Sequence, residues 1–270
     1  MSIKGVGVNN LNIPLAQFNL EWIHTSWGTW CWNYPTLPAG LTWVFNLYNA
    51  IPPQADLLAA LANPYHGNWW GVGSNERDYD AYAEGMTTEQ SDQMAQVEAA
   101  LVSQQIAAIK AVQPTAKFAL ATGSQEHAPD NQWDNPVWID AVWGHLSAND
   151  KDGIKALRIH WYAQVEFPSI GDVRTFNKAP IKREGRAWKD WAIAKGRPDL
   201  QVWFDEIGLV WNGVNVIPSN PLVNSYPSVI QAACNETGIE RWCWYGFEIA
   251  DYVSLWQDNI TPFGQAFAVI

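Results

Sequence analysis

Two glutamates at the ends of strand-like segments are the residues of this sequence best suited to do chemistry. Glu76 closes a segment that begins at Trp69, and Glu206 closes a segment that begins at Gln201. A pair of carboxyl groups can cleave a glycosidic bond, because one group protonates the leaving oxygen while the other attacks the sugar or activates water. The chain also contains 18 tryptophans, and indole faces suit the apolar faces of sugar rings. Together these features indicate carbohydrate chemistry.

The composition excludes some ligands and favours others. Of the 270 residues, 48% are apolar, which is enough for a sizeable core. The net charge of −11, with no Lys/Arg-rich run, argues against nucleic acid and anionic membranes as partners. Because tryptophan is rarely fully buried in such numbers, we expect several of the indoles to face a cleft. The expected partner is therefore an oligosaccharide or polysaccharide.

Neither metal nor cofactor chemistry is indicated. Cys31, Cys234 and Cys243 lack C-x-x-C spacing, and three buried thiols is the interpretation favoured over one disulfide. The five histidines are scattered, without the His-x-His pair of zinc-dependent barrels. No glycine-rich phosphate loop and no Gly-x-Ser-x-Gly motif is present. We expect no metal and no cofactor.

The order of the elements predicts a single α/β domain over residues 1–270. Strand patterns cover Ile3–Val8, Glu21–Trp27, Leu41–Tyr48, Trp69–Ser74, Ala116–Ala121, Ala156–Tyr162, Gln201–Glu206 and Arg241–Phe247. Helical patterns cover Ala55–Ala62, Thr88–Val112, Trp138–Leu146, Lys182–Lys195 and Val223–Thr237. From the third strand on, strand and helix alternate, which predicts a (β/α)8 TIM barrel. The first two connections are short, so we expect reduced helices after strands one and two.

This strand count places the two glutamates at one face of the barrel. Glu76 falls at the end of strand four and Glu206 at the end of strand seven, where catalytic groups of this architecture lie. Asp205 competes with Glu206 for the same role. Because side chains alternate along a strand, Glu206 points into the barrel if Val202 and Phe204 do, and Asp205 then faces the helices.

These positions resemble the clan of retaining (β/α)8 glycoside hydrolases, in which an Asn-Glu pair ends strand four and a Glu ends strand seven. The residues that carry the resemblance are Asn75-Glu76, Glu206, His160-x-Tyr162 on strand six and Trp244 on strand eight. Within the clan, the sequences around them are most similar to the endo-β-1,3-glucanase cores of glycoside hydrolase family 128. Arg77 departs from the pattern, since proline commonly follows the Asn-Glu pair.

The resemblance implies a role for each matching residue. Glu76 would be the general acid/base and Glu206 the nucleophile of a double displacement that cleaves a β-linked polysaccharide. Asn75 would hydrogen-bond the sugar 2-hydroxyl, and Trp244 would form a platform under the reacting ring. The full set of expected substrate-binding residues is Asn75, His160, Tyr162, Trp244, Trp27, Trp211 and Arg77.

Each residue also has a simpler interpretation. Asn75-Glu76 could cap the loop that follows it, Glu206 could be an exposed acid before Gly208, and His160 could be a core histidine. At the level of the molecule, the alternatives are a non-catalytic carbohydrate-binding barrel and a structural barrel of a cell-wall or virion assembly. We expect a monomer. No signal peptide is visible, which is compatible with a cytoplasmic protein or with a mature, secreted fragment.

Overall fold

The structure is a computed structural model, and eight parallel strands form its centre. It describes residues 2–7, 15–18, 20–26, 42–75, 77, 87–123, 136–165, 178–211, 221–244, 255–257 and 259–270. The strands are β1 (Ile3–Gly7), β2 (Trp22–Ser26), β3 (Thr42–Asn46), β4 (His66–Val72), β5 (Lys117–Gly123), β6 (Ile154–Val165), β7 (Gln201–Trp211) and β8 (Arg241–Trp244).

Each strand pairs in parallel with the next one along the chain, and the pairing of β1 with β8 closes the barrel. This arrangement confirms the predicted (β/α)8 fold. A parallel pair needs a crossover connection, and most of the connections contain a helix. In the described part of the first connection there is only a four-residue 3₁₀ helix, Leu15–Phe18. The second connection, residues 27–41, lies outside the described residues.

Seven α-helices are described around the barrel: α1 (Gln54–Leu61), α2 (Thr88–Val112), α3 (Pro136–His145), α4 (Ala148–Gly153), α5 (Ala179–Ala194), α6 (Pro221–Thr237) and α7 (Pro262–Ala268). The predicted range of α2 is confirmed, and Thr87 forms a capping box with Gln90 at its start. Gly196 and Gly238 follow α5 and α6 with φ of 72° and 71°, as expected of helix C-terminal glycines. The short helices α4 and α7 were not predicted, nor was the antiparallel pair β9 (Trp256–Gln257) and β10 (Asn259–Ile260).

An aromatic layer fills the N-terminal half of the barrel. Trp69 of β4 and Trp22 of β2 both contact Trp203 of β7, with ring centroids 4.6 and 5.7 Å apart. The guanidinium of Arg241 from β8 lies 4.5 Å from the centre of the Trp203 ring. These residues come from strands on different sides of the barrel, so they identify which face of each strand points inward.

Most of the tryptophans are structural. Every Trp side chain that the structure describes is buried, except the half-buried Trp161. The expected cleft-facing indoles are therefore not found among the described side chains, and for the other tryptophans the expectation stays a prediction. Trp69 belongs to the aromatic layer, and Trp70 donates a 2.7 Å hydrogen bond to Gln113 beyond the end of α2, so neither forms a cleft wall. Trp27, Trp30, Trp32 and Trp133 lie outside the described residues.

The described cysteines and helices bear on further expectations from the sequence. Cys234 and Cys243 are buried thiols, as predicted, and Cys31 lies outside the described residues. Over the ranges that the structure describes, no helix combines the length and apolar character needed to cross a bilayer.

Candidate active site

An irregularity in β7 brings two neighbouring acids to the same region. The register between β6 and β7 runs from the pair Ile159–Phe204 directly to the pair His160–Glu206, so that Asp205 has no partner in the ladder. On the other edge of β7, the pairing with β8 passes from Phe204–Trp242 to Ile207–Trp244. One extra residue in a strand is a β-bulge, and a bulge interrupts the alternation of side chains.

This bulge corrects the predicted orientation of Asp205. Phe204 pairs with Trp242, whose indole nitrogen bonds Gln231 of α6, so Phe204 faces the helices rather than the barrel. Asp205 then faces the interior, on the same side as Trp203. Because the bulge adds a residue at this point, Glu206 also turns toward the interior, where His160 meets it. Strand β7 continues to Trp211, so the acids lie within the strand rather than at its end.

Asp205 forms a buried ion pair with Arg158 of β6. The Nε atom of Arg158 donates a hydrogen bond of 2.6 Å to Oδ2 of Asp205, and each side chain is 1% exposed. The guanidinium extends across the barrel to β3 and β4. It reaches the backbone of Gly71, where an added Cβ would lie 2.6 Å from Nη1 of Arg158 and 2.1 Å from Oδ1 of Asn46. A side chain at position 71 would therefore displace both groups.

Tyr48 lies beside the same guanidinium. Its ring centre is 5.6 Å from Cζ of Arg158. Burial and the charge of Glu206 raise the pKa of Tyr48 above its usual value. Burial disfavours the charged form of Arg158, but Asp205, Tyr48 and Glu206 outweigh that effect, and the pKa of Arg158 is raised. The cation is therefore permanent over the whole range in which carboxyl groups titrate.

Tyr48 also has an unusual backbone conformation. Its φ is 45°, in the left-handed region that costs a residue other than glycine roughly 1–3 kcal/mol. The side chain of Gln105 on α2 holds this turn by donating hydrogen bonds to the carbonyls of Tyr48 and Ala50, at 2.6 and 2.9 Å. Strained residues of this kind cluster at functional sites.

His160 contacts both acids. Its Nδ1 lies 3.3 Å from Oε2 of Glu206, and its Nε2 lies 3.7 Å from Oδ1 of Asp205. All three side chains are buried, but Glu206 keeps 6% of its surface exposed while Asp205 keeps 1%. Glu206 is thus the more accessible acid, and its neighbour already has a cationic partner.

The end of β4 is attached to helix α2 by buried polar side chains. Gly73, with a φ of 96°, donates its N–H to Gln105 at 2.8 Å. Ser74 donates its N–H and its hydroxyl to the two carboxylate oxygens of Glu98, at 2.6 and 2.5 Å. Sequence reasoning missed Glu98 and Gln105, although both are polar residues on the largely apolar buried face of α2. They hold the chain immediately before Asn75-Glu76.

The structure describes the other predicted site residues to different extents. Asn75 is exposed and Arg77 is half-buried. Tyr162 pairs with Gly208, and Trp211 pairs with Val165. The orientations of the Tyr162 and Trp211 side chains lie outside the description, as do Glu76 and Trp27 altogether. The distance between the carboxyl groups of Glu76 and Glu206 therefore stays a prediction.

Trp244 is not a sugar platform. It is fully buried, and its ring packs against Phe263 of α7 and Tyr226 of α6, with centroids 4.6 and 6.4 Å apart. The side chain lies between β8 and the surrounding helices, where no sugar can reach it. The prediction was wrong because the match of a Trp at strand eight does not reveal which face of the strand carries it.

The described residues contain no group of three or more His, Cys, Asp or Glu side chains arranged to hold a metal ion. The chemistry available within these ranges is that of a carboxylate beside an imidazole, backed by a buried cation.

The solved structures most similar to this chain include several barrel enzymes. One is an endo-β-1,3-glucanase of glycoside hydrolase family 128, subgroup I, from Amycolatopsis mediterranei, in complex with laminaripentaose. It has a TM-score of 0.63 and 17% identity, with 99% of each chain covered. A glucosidase from Croceicoccus marinus has a TM-score of 0.60 and 10% identity, with 99% of this chain and 66% of that one covered.

A third similar structure is an α-L-arabinofuranosidase from Thermotoga maritima in complex with arabinose, with a TM-score of 0.60 and 14% identity, covering 100% of this chain and 70% of that one. No known family model matches the sequence, and no curated protein matches it. At these identities the similarity demonstrates a shared barrel fold.

Proposed function

We propose that this protein is a retaining glycoside hydrolase, with Glu206 as the nucleophile and Glu76 as the general acid/base. The observation that carries the proposal is the different environment of the two adjacent acids in β7. Arg158 is bonded to Asp205, whereas Glu206 faces His160 and keeps the larger exposed fraction. An ionised, accessible carboxylate inside a barrel is the group that a double displacement requires.

The reaction begins with attack of Glu206 on the anomeric carbon. Glu76 protonates the leaving oxygen, and a covalent glycosyl-enzyme forms. Water then displaces Glu206 with Glu76 acting as the base, which restores the original configuration. This mechanism requires the two carboxyl groups to be about 5–5.5 Å apart. Attachment of Gly73 and Ser74 to α2 supports a defined position for the residues that follow them.

For the substrate, we propose a β-linked polysaccharide and, as its first candidate, a β-1,3-glucan cleaved within the chain. The motifs around Glu76, His160 and Glu206 support this choice, and so does the similarity to an endo-β-1,3-glucanase solved with laminaripentaose. The net charge of −11 is compatible with a neutral polymer rather than a polyanion.

A panel of polysaccharides tests the proposal. Purified protein would be incubated with β-1,3-glucan, β-1,4-glucan, mannan, galactan and xylan, and released reducing ends would be measured. We expect release from one β-linked polymer, loss of release in Glu206→Gln, and normal release in the control Glu89→Gln, which changes an exposed acid at the start of α2. Equal activity in Glu206→Gln and the control would refute the assignment.

The second candidate is a non-catalytic carbohydrate-binding barrel. Arg77, which stands where the clan commonly has proline, is the observation that favours it. In that case the same panel would give binding, measured by intrinsic tryptophan fluorescence, without release of reducing ends from any polymer.

A further inference from the structure

The buried pair of Arg158 and Asp205 has no part in the double displacement itself. Each side chain is 1% exposed, so neither can touch a sugar. Burying two charges is unfavourable by desolvation, and apolar side chains of similar size often replace such pairs without loss of stability. The presence of the pair beside Glu206 therefore calls for a role other than stabilising the fold.

Two adjacent carboxyl groups in a buried site tend to share one proton. The repulsion between the two anions raises the pKa of one of them, as in paired catalytic aspartates. Asp205 and Glu206 are consecutive, and the bulge in β7 turns both toward the barrel interior. Without a nearby cation, Glu206 would be protonated in part of the molecules, and the protonated form cannot attack the sugar.

Arg158 is the cation in this position. The charged or titratable groups that face Glu206 among the described side chains are His160 and Arg158 from β6, Asp205 from β7 and Tyr48 after β3. Of these, only Arg158 carries a positive charge at every relevant pH. The side chains at positions 24–26 of β2 lie outside the description.

The geometry keeps this cation in a fixed place. Its Nε is bonded to Asp205, its Nη1 lies against Gly71, and its Cζ lies 5.6 Å from the ring centre of Tyr48. We propose that Arg158 is a positioning residue that keeps Glu206 ionised by offsetting the negative charge of Asp205, which in turn fixes the place of the guanidinium. The inference rests on the proposed function, in which Glu206 is the nucleophile, but the ionisation of Glu206 can be measured without substrate.

The test is an NMR titration of the Glu206 carboxyl carbon in protein labelled with ¹³C at the glutamate carboxyl groups. The resonance is assigned by its absence from Glu206→Gln. In Arg158→Met, Asp205 loses its cation and competes with Glu206 for a proton, so the Glu206 midpoint should rise by about one pH unit or more. In Asp205→Asn, the competing negative charge is gone, so the midpoint should fall.

Opposite shifts in the two variants are the decisive result, because a merely structural role would not give them. Arg197→Met is the matched control, since Arg197 pairs with the exposed Asp199 before β7 and should leave the Glu206 midpoint unchanged. Unchanged midpoints in both site variants, or shifts in the same direction, would overturn the inference. If Arg158→Met does not fold, Asp205→Asn alone tests the inference. A lower Glu206 midpoint in that variant would support the inference, and an unchanged or higher midpoint would overturn it.

Activity provides a separate readout of the proposed function. The acidic limb of the pH profile of kcat/KM should move up in Arg158→Met and down in Asp205→Asn, parallel to the NMR midpoints. If the midpoints move but the wild type releases sugar from no polymer, the electrostatic inference stands and the proposed function fails. If the wild type is active and the midpoints do not move, the proposed function stands and the inference fails.

Discussion

At the scale of single residues, the contrast between Asp205 and Glu206 is the main result. The two acids are adjacent in sequence and both face the barrel, yet one is bonded to Arg158 and the other faces His160. Their proposed roles therefore differ because of a residue on the neighbouring strand. Local sequence does not distinguish them.

The first prediction compares amide variants of these two acids. Glu206→Gln replaces the nucleophilic carboxylate with a neutral amide, so kcat should fall roughly a thousandfold or more. Asp205→Asn leaves the nucleophile in place and should retain clearly more activity than Glu206→Gln near neutral pH. Steady-state kinetics on the polymer identified by the panel, with circular dichroism to verify folding, measures both. If Asp205→Asn were the more severely impaired variant, the assignments of the two acids would have to be exchanged.

The second prediction follows from the correction to Trp244. Because this side chain is fully buried against Phe263 and Tyr226, Trp244→Ala should lower the free energy of unfolding by roughly 3–5 kcal/mol. Trp244→Phe should recover much of that loss. Under conditions where the variants are folded, KM should be close to the wild-type value. A large rise in KM with little loss of stability would restore Trp244 to the substrate site.

At the scale of elements, helix α2 connects the ends of two strands. Gln105 bonds Gly73 after β4 and the carbonyls of Tyr48 and Ala50 after β3, while Glu98 bonds Ser74. The C-terminal ends of parallel strands lie at one face of the barrel, and here the single helix α2 holds the ends of both β3 and β4. The catalytic glutamate proposed after β4 is two residues from the Ser74 anchor.

The third prediction tests this connection. Glu98→Ala removes both acceptors from Ser74, so the free energy of unfolding should fall by roughly 2–3 kcal/mol and kcat should also fall. Ser103→Ala is the matched control, because Ser103 lies on the same helix but donates to Asp150 of α4 instead. Chemical denaturation and kinetics of both variants provide the comparison. If Glu98→Ala and Ser103→Ala lowered kcat equally for a given loss of stability, Glu98 would not position the site.

The elements of this fold could be predicted from sequence because their signals are local. The range of α2 follows from apolar periodicity and a threonine cap at position 87 or 88, and the eight strands follow from β-rich segments between turn residues. The orientation of Asp205 could not be predicted, because one extra residue in β7 reverses an argument from alternation. The same limit applies to Trp244, and the role of Glu98 depends on a contact with a distant segment.

At the scale of the whole molecule, one half-buried histidine couples stability to pH. His66 at the start of β4 lies against Phe45 and Trp70, with ring centroids 5.1 and 4.5 Å away. Neither ring nitrogen has a hydrogen-bond partner among the described residues. Burial lowers the pKa of His66 to about 4, so the folded state disfavours the protonated ring.

The fourth prediction is a loss of stability in weak acid. Because the folded pKa lies below the unfolded value of about 6.5, the unfolded state binds more protons between pH 6.5 and 4. Stability should therefore fall as the pH drops through that window, by at most about 3 kcal/mol from this group. Urea denaturation at several pH values should show a smaller fall in His66→Phe than in wild type. His145→Gln, at an exposed site beside Asp92, should behave as wild type. If His66→Phe lost as much stability in acid as wild type, His66 would not be the cause of that loss.

The closed barrel is also the basis for the predicted outcome of the proposed reaction. Residues after β4 and in β7 lie on opposite sides of the barrel axis, so Glu76 and Glu206 are expected to reach one sugar from two directions. In the proposed mechanism the carboxyl groups would be about 5–5.5 Å apart, so that Glu206 itself attacks and water follows in a second step. The proposed mechanism therefore predicts a covalent glycosyl-enzyme intermediate.

Trapping that intermediate tests the central claim most directly. An activated 2-deoxy-2-fluoro β-glycoside of the hydrolysed polymer would be incubated with the protein, because fluorine at C2 slows breakdown of the covalent intermediate. Intact-mass and peptide mass spectrometry should show one added glycosyl unit, attached to Glu206 within the peptide that covers β7. A label on Asp205 or elsewhere, or no label together with initial release of the α-anomer from the β-linked substrate, would contradict the account.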